Sequence, residues 1–177
     1  MIIESFPVGL LQCNCTVLGD PLSNQALRDA TGAKLMLHEA DLPLYDNLRA
    51  QAEWMGGMLL APARAPVDDH VHQGDVVRAG ALAAEVLHTP GHTPGSLCFH
   101  LEGEAPLLLA GDTLFAGSIG RTDLWGGDYD QELASIRTRL LGLDDQTRVI
   151  CGHGPETTIG RERRSNPFLA QIAGRRP

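Results

Sequence analysis

The chain has 177 residues, 43% of them hydrophobic and 20% charged, with a net charge of −8. That length suits one domain with a proper core, and the acidic balance excludes a nucleic-acid binder, whose affinity rests on Lys and Arg. Arg161, Arg163, Arg164, Arg175 and Arg176 form the one basic concentration and read as a solvated helix and tail.

In chain order, Ile2 to Val8 and Cys13 to Leu18 read as strands, with Pro7-Val8-Gly9 as a turn or bulge between them. Met1-Ile2-Ile3-Glu4 has neither a basic n-region nor an apolar core, so no signal peptide is expected. No apolar run approaches the ~18 residues of a membrane span, and the expected compartment is the cytoplasm. Cys13, Cys15, Cys98 and Cys151 make no CxxC pair and read as small buried or half-buried thiols. Ser23 is placed to cap a short helix over Asn24 to Ala30, closed by Gly32. Lys34 to His38 is a compact strand. Glu39 to Trp54 is helical, with Asp41 as cap, Pro43 in the first turn and Gly56-Gly57 as stop.

Ala61 to Asp69 reads as a surface loop. From His70 to Leu87 the alternation of Val71, Val76, Leu82 and Val86 predicts a meander of short strands. Leu97 to Leu101 and Leu107 to Ala110 are strands joined by Glu102-Gly103-Glu104. Asp128 caps a helix with Leu133, Ile136 and Leu140 on its core stripe. Thr147 to Cys151 is the last strand, and Gly160 to Leu169 a helix broken at Pro167. Strands in clusters with interspersed helices indicate an α/β or α+β fold in layers.

Three apolar runs end alike. Strand-like residues lead into His88-Thr-Pro-Gly-His92-Thr-Pro-Gly95, Leu107 to Ala110 lead into Gly111-Asp112-Thr113, and Val149 to Cys151 into Gly152-His153-Gly154-Pro155. Histidine and aspartate at strand ends are ligands for a borderline cation such as Zn²⁺, and Gly-Pro loops hold imidazoles pre-aimed. Three such ends point to one shared site on one sheet edge.

These three stretches resemble the later motifs of the metallo-β-lactamase superfamily. Gly117-Ser-Ile-Gly-Arg121-Thr-Asp123-Leu124, Gly126-Gly127-Asp128-Tyr129 and the run from Thr157 to Phe168 are similar to its short glyoxalase II-like hydrolases. The likeness spans about Ala30 to Phe168, and Gln12-Cys-Asn-Cys-Thr16 also fits. The resemblance implies an α/β fold, an αββα sandwich, as a single domain over residues 1–177, and a two-metal hydrolytic site. It matches His92 to a ligand of the first metal, Asp112 to the bridging carboxylate and His153 to a ligand of the second.

The family's leading His-x-His-x-Asp-His motif is absent from the sequence. Asp20-Pro21 runs almost directly into Ser23-Asn24, so the resemblance implies an internal deletion near 20–23 and an abbreviated N-terminal half. A missing strand, helix, second strand and ligand loop amount to roughly 35–45 residues. Four of the family's seven ligands go with them. A remaining two-His, one-carboxylate site then holds one ion of zinc or another divalent metal, or none, with His38 as the best further donor. His70-x-His72 imitates the lost His-x-His but falls where the family has an ordinary hairpin, and His88 reads as structural.

The expected activity is hydrolysis of a small-molecule ester, thioester or phosphoester, the family pointing to glutathione thioesters. Asp112, His92 and His153 act as the catalytic groups, and Arg121 either contacts an anionic substrate or makes a structural ion pair. A metal-free His–Asp general base and a catalytically silent binding or assembly module are the alternatives. The deletion should leave a sheet edge and an apolar face uncovered, for which homodimerisation is the simplest cover.

Overall fold

The computed structural model describes residues 6–8, 13–15, 29, 32, 34–54, 65–79 and 82–173, with the backbone alone at 6–8, 13–15, 79 and 171–173. The junction expected near 20–23, most of the helix after it, the Gly56-Gly57 stop and the start of the Ala61 loop lie outside those residues.

A six-stranded sheet organises the fold, in the order β12-β11-β8-β7-β6-β5. Its members are β5 (Val76–Ala79), β6 (Leu82–His88), β7 (Leu97–Leu101), β8 (Leu107–Gly111), β11 (Arg148–Cys151) and β12 (Thr157–Thr158). The pairs β5/β6, β6/β7, β7/β8 and β11/β12 are antiparallel, whereas β8 and β11 are parallel. A parallel pair needs a crossover, supplied here by helix α3 (Tyr129–Ser135) and the π-helical turn Ile136–Leu140. Because β7 runs against both neighbours, β6, β8 and β11 all point the same way. Their C-terminal ends therefore share one edge.

The residues facing the helices explain the sequence runs. Leu87, Cys98, Leu108, Ala110, Val149 and Cys151 share one face of the sheet. They form the core with Ile136 and Leu140 of the π turn, Ile159 of α4 (Ile159–Ser165) and Leu169 of α5 (Pro167–Ala173). On the opposite face Val86, Leu107 and Ile150 are buried, while Leu97, Phe99, Leu101 and Leu109 are half-buried. A strand apolar on both sides, such as Leu107-Leu108-Leu109-Ala110, is expected where both faces are covered.

Local chemistry sets the ends. Asp128 caps α3 through its carboxylate to the Gln131 N–H at 2.9 Å. Thr158 caps α4 by accepting from the Arg161 N–H. Asn166, ahead of Pro167, is held extended at ψ 118° and separates α4 from α5, as the residue before a proline must.

Several expectations are corrected. Pro7 and Val8 are not a turn: they lie in β1 (Phe6–Val8), opposite Asn14 and Cys13 of β2 (Cys13–Cys15). His70 does not open the meander. It ends β4 (Asp69–His70), which pairs in parallel with β3 (Met36–Leu37), a contact between segments 33 residues apart that no local pattern records. The helix expected over Glu39 to Trp54 is a 3₁₀ turn (Glu39–Asp41), then α1 (Leu42–Asp46) and α2 (Leu48–Trp54), broken at Asn47. Asp41 makes no cap bond; the cap of the 3₁₀ turn is His38, whose Nδ1 accepts from the Ala40 N–H. A further hairpin, β9 (Leu114–Phe115) with β10 (Ser118–Ile119), follows the Gly111-Asp112 turn.

Cys98 and Cys151 are buried thiols whose pKa values burial pushes up to about 11. Thiolate, not thiol, reacts. Neither should label with a disulfide reagent at pH 8 in the native protein, whereas both should on unfolding; rapid native labelling at either position contradicts their burial. Among the described residues no helix is long and apolar enough to cross a membrane.

Candidate active site

The three strand ends do come together. Asp112 lies between two imidazoles, with His153 Nδ1 3.0 Å from its Oδ1 and His92 Nε2 3.6 Å from its Oδ2. The approach of β11 to β8 requires a glycine at 152, since any Cβ there collides with the Asp112 carboxylate. That collision is the physical content of the Gly-His dipeptide in the sequence.

The His92 ring is oriented from behind. Its Nδ1 lies 2.8 Å from the Arg121 carbonyl, which can only accept, so Nδ1 carries the proton and Nε2 of the neutral ring presents a lone pair. That lone pair faces the Asp112 oxygen at 3.6 Å. Two acceptors facing one space are bridged either by a proton on Nε2, which makes an ion pair, or by a metal ion. The Nδ1–H to carbonyl bond is also the outer support typical of a metal-bound imidazole.

The donor set thus fits a single ion on His92 Nε2 and Asp112 Oδ2. It does not fit a closed two-metal centre. His153 is turned onto the other oxygen of Asp112, and among the described residues no three His, Cys, Asp or Glu side chains converge on a metal position.

His38, the further donor expected from the sequence, is engaged elsewhere. Its ring stacks on His88 with centroids 4.0 Å apart and meets His72 edge-on at 5.5 Å. Burial, together with His88 and His72, lowers its pKa. His88 itself is structural, its Nε2 lying 2.9 Å from the Pro94 carbonyl. His70 Nδ1 lies 3.2 Å from the Leu37 carbonyl, and His72 lies beside Glu39 and Asp75. The Arg121 guanidinium makes two 2.8 Å bonds to Asp123, and this donation holds the Asp123 carboxyl down at about 2. Arg121 therefore serves His92 through its backbone, while its side chain is held by a neighbouring carboxylate.

Two residues that position the His92 loop escape a reading of motifs. Asp41 accepts from the Thr93 hydroxyl at 2.8 Å and from the Gly95 N–H at 2.6 Å, clasping the loop from 52 and 54 residues away. Glu132 is fully buried, and its Oε2 accepts from the His92 N–H at 2.9 Å, while Oε1 faces Gly120 and makes no hydrogen bond of normal geometry among the described residues. Burial pushes its pKa up to about 8, with the Asp112 charge adding to the effect. Gly91, at φ 148°, is what allows the loop to lie against Glu132, because a Cβ there would strike the Glu132 backbone. A signal for Glu132 did exist. It stands four and eight residues before Ile136 and Leu140, a carboxylate on the core stripe of its helix.

Comparisons with known proteins follow this geometry. The family model for the Metallo-beta-lactamase superfamily matches residues 22–153. Hydroxyacylglutathione hydrolase GloC of Haemophilus influenzae is 35% identical over 210 aligned positions, covering 96% of this chain and 98% of that protein. As 96% of 177 residues fill about 170 of those positions, about 40 have no counterpart here. The crystal structure of BLEG-1 B3 metallo-beta-lactamase superposes with a TM-score of 0.83 at 30% identity, over 95% of this chain and 99% of that one. That of TTHA1623 in a di-iron-bound form gives 0.74 at 32%, over 96% and 100%. Matched by that family model over most of its length and 35% identical to GloC over nearly all of both chains, the chain belongs to the metallo-beta-lactamase superfamily.

Proposed function

We propose that the chain is a hydrolase of small activated acyl compounds, thioesters and esters first and phosphoesters second, with water activated at Asp112, His92 and His153. The observation that carries this reading is the single carboxylate set between two imidazoles at the shared strand edge. Asp112 takes the Nδ1–H of His153, which directs the basic lone pair of that ring to Nε2 and stabilises the imidazolium formed when it accepts a proton from water. His92, fixed by the Arg121 carbonyl and Glu132, holds the other side of the carboxylate. A single divalent ion, zinc or another transition metal, on His92 Nε2 and Asp112 Oδ2 would supply Lewis acidity beside that base. The hydrolase name of GloC and the di-iron form of TTHA1623 support this class of chemistry.

The test is hydrolysis of a glutathione thioester, p-nitrophenyl acetate and bis(p-nitrophenyl) phosphate, with metal analysis of the protein as isolated and after chelation. Bound metal with chelator-sensitive turnover supports the one-ion site, and chelator-insensitive turnover lost in His153→Ala supports the imidazole base alone. No turnover on any substrate sinks the proposal and leaves a binding or assembly module, the second reading favoured by the roughly 40 unmatched positions.

We further propose that the chain forms a homodimer through the surface that the missing segment leaves uncovered. Apolar sheet surface of this kind is ordinarily covered. Sedimentation at micromolar concentration should return about twice the 19.0 kDa chain mass; a stable monomer refutes the dimer. The expected location is the cytoplasm.

A further inference from the structure

The loops that carry His92 and Asp112 leave the sheet from β6 and β8, which are not neighbours, because β7 lies between them. Two strand spacings put their backbones about 9.5 Å apart, beyond the reach of a ladder hydrogen bond. The sheet alone therefore does not set the 3.6 Å between His92 Nε2 and Asp112 Oδ2. Two links cross the gap, and both meet at Thr113. One is backbone: the Gly120 N–H donates to the Thr113 carbonyl at 3.1 Å, and the carbonyl of the next residue, Arg121, holds His92 Nδ1. The other joins two side chains.

Thr89 is the first residue past β6 and closes the neck of the His92 loop, its N–H donating to the Ser96 carbonyl at 2.9 Å. Thr113 directly follows Asp112, and its N–H turns back to the Ala110 carbonyl at 3.0 Å. The two hydroxyl oxygens lie 3.0 Å apart, and both residues are buried. Cys98 of β7 stands beside them, its Sγ 3.4 Å from Thr89 Oγ1, and its S–H is donated to the Ala110 carbonyl at 3.4 Å. The Thr89 hydroxyl donates to the Ser96 carbonyl at 3.4 Å, which leaves its oxygen to accept from Thr113. A row of three polar side chains, one from each strand or strand end, thus spans β6, β7 and β8 inside an otherwise apolar core. Valine in place of either threonine keeps the shape, removes the bridge and strands the opposite hydroxyl away from water.

We propose that Thr89 and Thr113 are positioning residues for the hydrolytic site, their hydroxyl bridge holding the His92 loop at its working distance from Asp112. Buried as they are, neither hydroxyl reaches a substrate, so they act through the two loops. The role rests on the reading of His92 and Asp112 as reacting groups, but the spacing belongs to the fold and is measurable without turnover.

The test compares Thr89→Val, Thr113→Val, the double variant and Thr113→Ser, each as the full chain, by steady-state kinetics on p-nitrophenyl acetate and by crystal structure. A misplacement of about 1 Å costs up to about 10²-fold, and the Gly120–Arg121 link still restrains the loop, so each valine should lower kcat about tenfold with KM within about twofold. The double variant should be no worse than the poorer single one, because both changes remove the same bond. Thr113→Ser keeps the hydroxyl and should stay within about threefold of the parent. In Thr113→Val crystals the His92 Nε2–Asp112 Oδ2 distance should lengthen, and Thr89→Val serves for the same measurement where Thr113→Val misfolds. An unchanged distance overturns the proposal whether or not the parent turns over substrate. So do losses that multiply in the double variant, or a Thr113→Ser protein as poor as Thr113→Val. A lengthened distance beside a parent inactive on every substrate supports the spacing role and sinks only the hydrolytic reading.

Discussion

Asp112→Asn should lower kcat/KM by about 10³- to 10⁴-fold on the best substrate, the loss expected when the partner of a catalytic imidazole becomes a neutral amide. The change keeps the volume but replaces an oxygen that faces His153 or His92 with an NH₂ group, which cannot take the Nδ1–H of His153 at 3.0 Å. It also removes the negative charge that a cation beside His92 Nε2 requires, so any metal content should fall with activity. Thermal unfolding should shift by only a few degrees, because Asp112 is partly exposed and the change keeps its volume. Full activity in the Asn variant removes Asp112 from the chemistry and the proposed function with it.

The second large effect is on stability and belongs to Glu132. Its carboxyl titrates near pH 8 in the folded chain against about 4.5 when unfolded, because burial disfavours the charged form. Between these values the native state holds a proton that the unfolded state has released. The stability this provides is therefore complete below about pH 4.5 and is lost as pH rises through 8. The slope is about 1.4 kcal/mol per pH unit, an upper bound of about 5 kcal/mol across the window. Glu132→Gln, neutral at every pH, should flatten this dependence. Unfolding of the parent should fall by about 10 °C more than that of the variant between pH 5 and pH 8, at about 2–4 °C per kcal/mol for a chain of this size. Parallel pH profiles for the two proteins contradict the assignment. Glu132→Leu fills the space but loses the acceptor for the His92 N–H, so it should impair turnover more than Glu132→Gln, whose amide oxygen can still accept.

How much of this was legible depends on distance along the chain. Leu97 to Leu101, Leu107 to Ala110 and Val149 to Cys151 were readable as strands because short apolar runs closed by glycine have few other uses. Asp128 was readable as a cap because its partner is three residues away. Asp41 looked like a cap by the same logic and is not one, since Thr93 and Gly95, unseen by any local rule, bind its carboxylate. His38 looked like a spare donor for the same reason, whereas a stack on His88, fifty residues on, occupies its ring. The parallel pairing of Met36–Leu37 with Asp69–His70 is non-local in the same sense.

The amino-acid sequence by itself determined the family, the strands that carry the chemistry and the side-chain types at their ends, because those are properties of short runs. It also recorded the missing leading motif. Only the tertiary structure decided that β6, β8 and β11 open onto one edge, since that follows from β7 running antiparallel between β6 and β8 and from the crossover that makes β8 and β11 parallel. It alone decided, too, that Asp112 divides its two oxygens between two imidazoles and that a buried Glu132 stands behind His92. Those are contacts between residues about 20 to 41 apart, set by packing, which no pattern within a helix or strand encodes.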